Sequence, residues 1–195
     1  MSGAGVEKKR SVVIDSALSF EEAAAGSAAP AGVLATLRLV DVPYIGFDGL
    51  QHRGQIVVHR DIADEMLDIF RTLVDLPFPI AGARPIVRYG WSDEASMSDN
   101  NTNAFHYRLV AGTSRLSRHA LGLAIDINPF FNPLVYPDGS TIPPGAFYRP
   151  DAPGVITEGG SVLREFLRRG WRWGGHFNAY RDHHHFEKPL ENGAS

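Results

Sequence analysis

The chain has 195 residues, 44% of them hydrophobic and 21% charged. That is ordinary globular composition, enough for one domain with a sizeable core plus a tail. Nineteen basic against 22 acidic residues leave a net charge of −3, so no basic field invites nucleic acid. Cysteine is absent. Disulfides therefore hold nothing together, and any metal must be held by histidine and carboxylate.

Residues 1–32 read as a flexible lead-in, rich in Ala, Gly and Ser, with one helix signal in the capping box Ser19 and Glu22. Lys8, Lys9 and Arg10, ahead of Ala28 and Ala29, imitate a signal peptide. Asp15, Glu21 and Glu22 interrupt the apolar run that such a segment needs. No stretch approaches the roughly 20 apolar residues that span a bilayer, so no transmembrane segment is expected.

A single domain over 33–190 follows. Val33 to Val42 alternates as a strand, and Gln55 to His59 carries a second. Ile62, Met66, Ile69, Phe70, Leu73 and Val74 then fall on one face of a 3.6-residue period. That predicts a helix capped by Asp61, with Asp64 and Glu65 in its first turn and Pro77 and Pro79 beyond its end. Ile86 to Tyr89 reads as a short strand, and the polar run from Asp93 to Arg108 as loop for much of its length. A loop that long in a compact domain is usually functional or disordered. Ala120 to Ile127 reads as a buried strand, and the proline-rich stretch 129–153 as an irregular excursion. Ser161 to Arg169 forms a second helix with Val162, Leu163, Phe166 and Leu167 inward, Arg168 and Arg169 at its negative end, and Gly170 as the stop. A last strand lies within Asp182 to Glu187. No internal repeat shows.

Eight histidines are present, and their arrangement carries the chemistry. In Ser117-Arg-His119-Ala-Leu-Gly122-Leu-Ala-Ile-Asp126 a histidine and a carboxylate bracket small and apolar residues. On a strand Asp126 points away from Ile125 and Ile127, and stands alone on its face. A lone carboxylate among core residues needs a partner, because an unpaired buried charge is costly. A metal ion is a natural one. Near the C-terminus Asp182 precedes His185 by three positions. One arrangement makes His185 a ligand and sets Asp182 beside the metal's water, which requires a turn at or just after Asp182. His183 shares strand parity with His185 and rivals it. His184 or His183 would support the site from behind, His106 is a hydrogen-bonding loop residue, and Trp171 and Trp173 are core or pocket wall. Two histidines and one carboxylate make a three-ligand site, and catalytic zinc characteristically keeps its fourth position for water.

Together, Ser117-Arg-His119-Ala-Leu-Gly122-Leu-Ala124-Ile-Asp126 and Asp182-His-His-His185-Phe-Glu187 resemble the zinc peptidases of bacterial cell-wall metabolism. These are the D-alanyl-D-alanine carboxypeptidases, the vancomycin-resistance dipeptidases and the L-alanyl-D-glutamate endopeptidases. The loop Ser96 to Arg108, the block Asn128 to Pro133 and the run Trp171 to Gly175 are similar to one branch of that family. Many relatives carry Glu where this chain has Asp182, and the endopeptidases often carry Asp.

The resemblance implies an α+β fold of the hedgehog/DD-peptidase type, a small antiparallel sheet with helices on one side. It implies Zn2+ held by His119, Asp126 and His185, with Asp182 as general base. It also implies an arginine steadying the substrate carbonyl, placed on Arg108 in preference to Arg84 or Arg88, and Ser117 touching substrate; Trp173 is placed with it. The expected activity is hydrolysis of an amide bond in peptidoglycan stem peptides, by a monomer. A cell-wall-facing location is implied by the resemblance and by nothing in the N-terminal pattern. The rivals are a zinc-bearing cell-wall recognition module without catalysis and a metal-free interaction domain.

Overall fold

The computed structural model describes residues 12–189. The Lys8, Lys9 and Arg10 cluster weighed as part of a signal peptide lies outside them. The first sheet holds β1 (Val13–Ile14), β2 (Leu37–Ile45) and β3 (Gln51–His59). β3 is central, antiparallel to β2 and parallel to β1. The β2–β3 register runs from Leu37 opposite His59 to Ile45 opposite Gln51.

Both faces of this sheet are covered, which explains the unbroken apolar run Ile56-Val57-Val58 on β3. Val40, Val42 and Tyr44 of β2, with Ile56 and Val58, enter the main core. Leu37, Leu39 and Val57 turn to the opposite side and meet Leu18, Phe20 and Ala23 of the lead-in and Val33 and Leu34 just after it. There the chain forms two short helices, α1 (Phe20–Ala24) and α2 (Ala31–Leu34). The capping box forms in full: Ser19 Oγ accepts from Glu22 N–H at 3.2 Å, and Glu22 accepts from Ser19 N–H at 2.7 Å.

The strongest periodicity becomes α3 (Ala63–Val74), which buries Ala63, Met66, Ile69, Phe70 and Leu73 against β2. Asp61 does not cap it. The chain leaves β3 directly into a 3-10 turn at Arg60–Ile62, where His59 Nδ1 accepts from Asp61 N–H. Asp61 is thus already inside the turn. Ile86–Tyr89 is a 3-10 turn and not a strand. Pro85 starts it and Gly90, at φ 59°, stops it, leaving no room for extended pairing. The polar run opens on a helix, α4 (Asp93–Ser98), capped by Ser92 Oγ. The expected strand over 120–127 is shorter: a 3-10 turn at Arg118–Leu121, then β4 (Ala124–Asp126).

The C-terminal half adds two small antiparallel sheets. One joins β5 (Leu134–Val135) to β6 (Thr141–Ile142) and β8 (Arg181–Asp182). The other sets β9 (His185–Glu187) between β4 and β7 (Arg172–Trp173). Between β6 and β7 runs α5 (Ser161–Leu167), whose Val162, Leu163 and Phe166 are buried. Leu167, expected inward, is exposed. Helices and mainly antiparallel sheets together make an α+β protein.

Two features allow quantitative tests. Gly122 sits at φ 66°, and a Cβ there would lie 2.5 Å from the backbone nitrogen of His59. Gly112 has a similar φ of 72° with nothing within 4 Å. Gly122→Ala should therefore cost more than about 2 kcal/mol and Gly112→Ala about 1 kcal/mol, measured by denaturant unfolding. Burial pushes the Glu165 carboxyl up, yet hydrogen bonds from Arg168 and Arg169 outweigh it and hold the group below its ordinary 4.5. A depressed carboxyl stabilises above its unfolded pKa, and that stability is lost as pH falls through the folded value. Glu165→Gln should cost about 1–2 kcal/mol at pH 7, discounted for the exposed Arg168. The difference from the parent should shrink progressively below pH 4.5.

Candidate metal centre

The site begins with strand register. Asp126 on β4 stands directly opposite His185 on β9, and antiparallel partners project to the same face. His119 comes from the 3-10 turn just upstream. Ser117 Oγ caps that turn at the His119 N–H, and Gly122 in the left-handed region ends it, so the chain re-enters as β4. Three donor atoms meet. His185 Nδ1 lies 3.0 Å from Asp126 Oδ1 and 3.1 Å from His119 Nε2, which is itself 3.2 Å from the same carboxylate oxygen. Tetrahedral zinc with bonds of about 2.0–2.1 Å holds neighbouring ligand atoms about 3.3 Å apart. The donor set is of the right kind and spacing for such an ion, and among the described residues this is the group able to hold one.

The surroundings fix these donors. His119 Nδ1 donates to the Ala104 carbonyl at 2.6 Å, which leaves the Nε2 lone pair facing the cluster. Asn103 and Asp126 exchange backbone hydrogen bonds, and His106 N–H donates to the His119 carbonyl. On the far side His185 Nε2 is 3.5 Å from Glu187 Oε2. Burial opposes charge throughout. It would raise Asp126, but the charges of His119 and His184 and hydrogen bonds from His119 and His185 hold it well below the usual carboxylate range. It would lower His185, but the hydrogen bonds to Asp126 and Glu187 prevail and push it up to about 10.

Asp182 closes β8, residues 183–184 form a turn, and β9 opens on His185. The chain thus reverses just where the spacing of three demands. Gly174 makes this possible: a Cβ there would meet the Asp182 carbonyl at 2.6 Å and the Cβ of His185 at 3.1 Å. Asp182 is buried, and its Oδ1 lies 2.9 Å from His184 Nε2 without the alignment of a hydrogen bond. His184 is buried behind the site. Its Nδ1 donates to the Asn132 carbonyl at 2.8 Å, and its Nε2 is 3.9 Å from Asp126 Oδ2. Burial disfavours its charge, but Asp182 and Asp126 outweigh this and raise it to about 9.

The remaining sequence-nominated residues fall as follows. Arg108 Nε pairs with Asp93 Oδ2 at 2.5 Å. Ser117 is buried and its oxygen is engaged in the cap. Trp173 is 4% exposed, and its indole N–H donates to the His183 carbonyl, so it offers wall and not an open stacking face. His183 stacks on Tyr148 at 3.8 Å and contacts the Pro133 carbonyl, away from the donor cluster. His106 binds Asp93 at 2.7 Å, and His176 makes an exposed pair with Glu158.

Sequence reading passed over three residues that shape the site. Glu187 sits two positions past His185, on the same face of β9. Asn132 gathers Ile127, Asn128, Gly154 and Ile156 by side-chain hydrogen bonds, while its carbonyl orients His184; the paired asparagines of Asn128-Pro-Phe-Phe-Asn132 were the available signal. Asp93 bears on both His106 and Arg108, and nothing local in the sequence announces that.

Residues 111–188 match the family model described as D-alanyl-D-alanine carboxypeptidase. No curated protein and no solved structure matches the chain. The matched segment carries His119, Asp126, Asp182 and His185, and over it the chain is similar to the D-alanyl-D-alanine carboxypeptidase family of peptidases.

Proposed function

We propose that this protein is a zinc-dependent peptidase that hydrolyses an amide bond in peptidoglycan stem peptides, as a D,D-carboxypeptidase or an L,D-type endopeptidase. The observation that carries the reading is the convergence of His119, Asp126 and His185 within 3.0–3.2 Å of one another, with no fourth protein donor in the group among the described residues. A structural zinc site is normally closed by four protein ligands, whereas a catalytic one has three. Zn2+ held there would supply Lewis acidity and lower the pKa of water to about 7.

In this reading the protein's own groups do the rest. Asp182 accepts a proton from the attacking water and returns it to the leaving amine. Its buried, poorly aligned Oδ1 suits a group awaiting a better partner. Arg108 donates to the carbonyl oxygen as negative charge develops there. Ser117 and Trp173 line the approach. The α+β architecture is taken as the hedgehog/DD-peptidase type, with 33–190 as the catalytic domain and 1–32 as its lead-in. The enzyme would work as a monomer facing the cell wall.

The wild type should bind one equivalent of Zn2+, and His119→Ala, Asp126→Ala and His185→Ala should each weaken binding at least about 100-fold. Bound imidazole must be neutral, so binding releases protons and tightens with pH. Calorimetry in buffers of different ionisation heat would show both; tight binding unaffected by all three substitutions removes the assignment. Asp182→Ala should keep its zinc while cleavage of defined muropeptides, followed by mass spectrometry, falls about 100- to 10,000-fold. Cleavage at the parental rate would exclude Asp182 as base. One bound zinc with no cleavage of any wall fragment by the wild type would favour a recognition module.

A further inference from the structure

Arg108 lies on a two-stranded ladder that leads into the metal turn. His106 N–H donates to the His119 carbonyl, Ser117 N–H to the Arg108 carbonyl, and Val110 N–H to the Arg115 carbonyl. Leu109 and Leu116 pair between them. Side chains alternate along such a ladder, so His106 and Arg108 share a side. Both reach one carboxylate there: His106 Nδ1 lies 2.7 Å from Asp93 Oδ1, and Arg108 Nε lies 2.5 Å from Asp93 Oδ2.

The ordinary role for an acid in a helix's first turn is to complement its dipole. Here that end is already served, because Ser92 Oγ takes the Ala95 N–H and Glu94 stands beside it. Both Asp93 oxygens are committed elsewhere. The chain approaches α4 through Trp91 at φ 64°, a costly backbone state for an aromatic residue. The indole N–H of Trp91 donates to the Ala25 carbonyl of the lead-in, and its ring packs near Phe105 and His106. Burial pushes the Asp93 carboxyl up, but His106 and Arg108 outweigh it and keep it ionised below its ordinary range.

Arg108 meets Asp93 through Nε as an ion pair without hydrogen-bond alignment. The two terminal nitrogens bond to no protein group among the described residues and are not buried. An ion pair at Nε restrains the guanidinium while leaving its outer N–H groups free to donate. We infer that Asp93 is the positioning residue of this site: its carboxylate holds the Arg108 guanidinium by their ion pair, presents the outer N–H groups to the substrate's developing oxyanion, and through His106 braces the strip that orients His119. This rests on the oxyanion role proposed for Arg108.

Asp93→Asn keeps an acceptor for His106 and loses the anion facing Arg108. With zinc content and thermal midpoint near parental, kcat on a muropeptide cleaved by the wild type should fall about 10- to 100-fold while KM stays within about 2-fold, since the lost interaction belongs to the transition state. Asp93→Glu should recover part of the rate. In an Arg108→Ala background Asp93→Asn should cause no further loss. A readout independent of activity is the Arg108 Nε resonance, whose chemical shift should move in Asp93→Asn as the anion facing it is lost. Additive losses in the double variant, or an unchanged resonance, would overturn the inference. If Arg108→Ala leaves kcat intact while the resonance still depends on Asp93, the oxyanion role falls and the grip of Asp93 on Arg108 stands.

Discussion

The centre depends on one pairing: Asp126 opposite His185 across β4 and β9. Register in a ladder is a two-state choice, because a slip of one residue turns every side chain to the other face. Here the alternative would expose Ile125 and Phe186, both fully buried, and would drive Asp126 and His185 into the core. The apolar neighbours thus enforce the meeting of the polar pair. Phe186 reinforces this by stacking on Phe166 of α5 at 4.0 Å. Hydrophobic packing, and not attraction between ligands, sets the distance between the donors.

Around that pairing the protein keeps a graded arrangement of polar groups. His119 and His185 each have their second ring nitrogen near an acceptor, the Ala104 carbonyl and Glu187. His184 lies between Asp126 and Asp182, so it sets the field at both a donor and the proposed base. Its own orientation comes from the Asn132 carbonyl, and Asn132 in turn ties several loop segments together. A buried polar network of this kind is worth its cost only when its members are satisfied. Here the exceptions among the described residues, the Asp182 Oδ1 and Arg108 Nε atoms and one amide of Asn100, include both groups to which chemistry is assigned.

What could be read from the sequence was whatever short-range pattern decides. The α3 face follows from spacing alone, and the capping box at Ser19 needs only its own four residues. The interval from His119 to Asp126, and from Asp182 to His185, told which groups could share a site, and the structure brings the donors together. The failures have a common cause. Ile86–Tyr89 looks extended until Pro85 and Gly90 are seen to bend it. Asp61 looks like a cap until the exit of β3 commits it to a turn. Asp93 acquires its task only when a ladder 13 and 15 positions downstream places His106 and Arg108 beside it. The two-residue strands of β5, β6 and β8 carry too little pattern to be seen at all.

The three donors are unevenly spread along the chain. His119 and Asp126 are near neighbours, but the contact between His185 Nδ1 and the Asp126 carboxylate spans 59 positions. Between them lie the proline-rich excursion, α5 and the run to Asp182. An ion bound to all three would act as a cross-link across that interval, removing loop entropy from the unfolded chain much as a disulfide does. In a protein without cysteine, the metal would do the work of a covalent staple, and the C-terminal half would be its chief beneficiary.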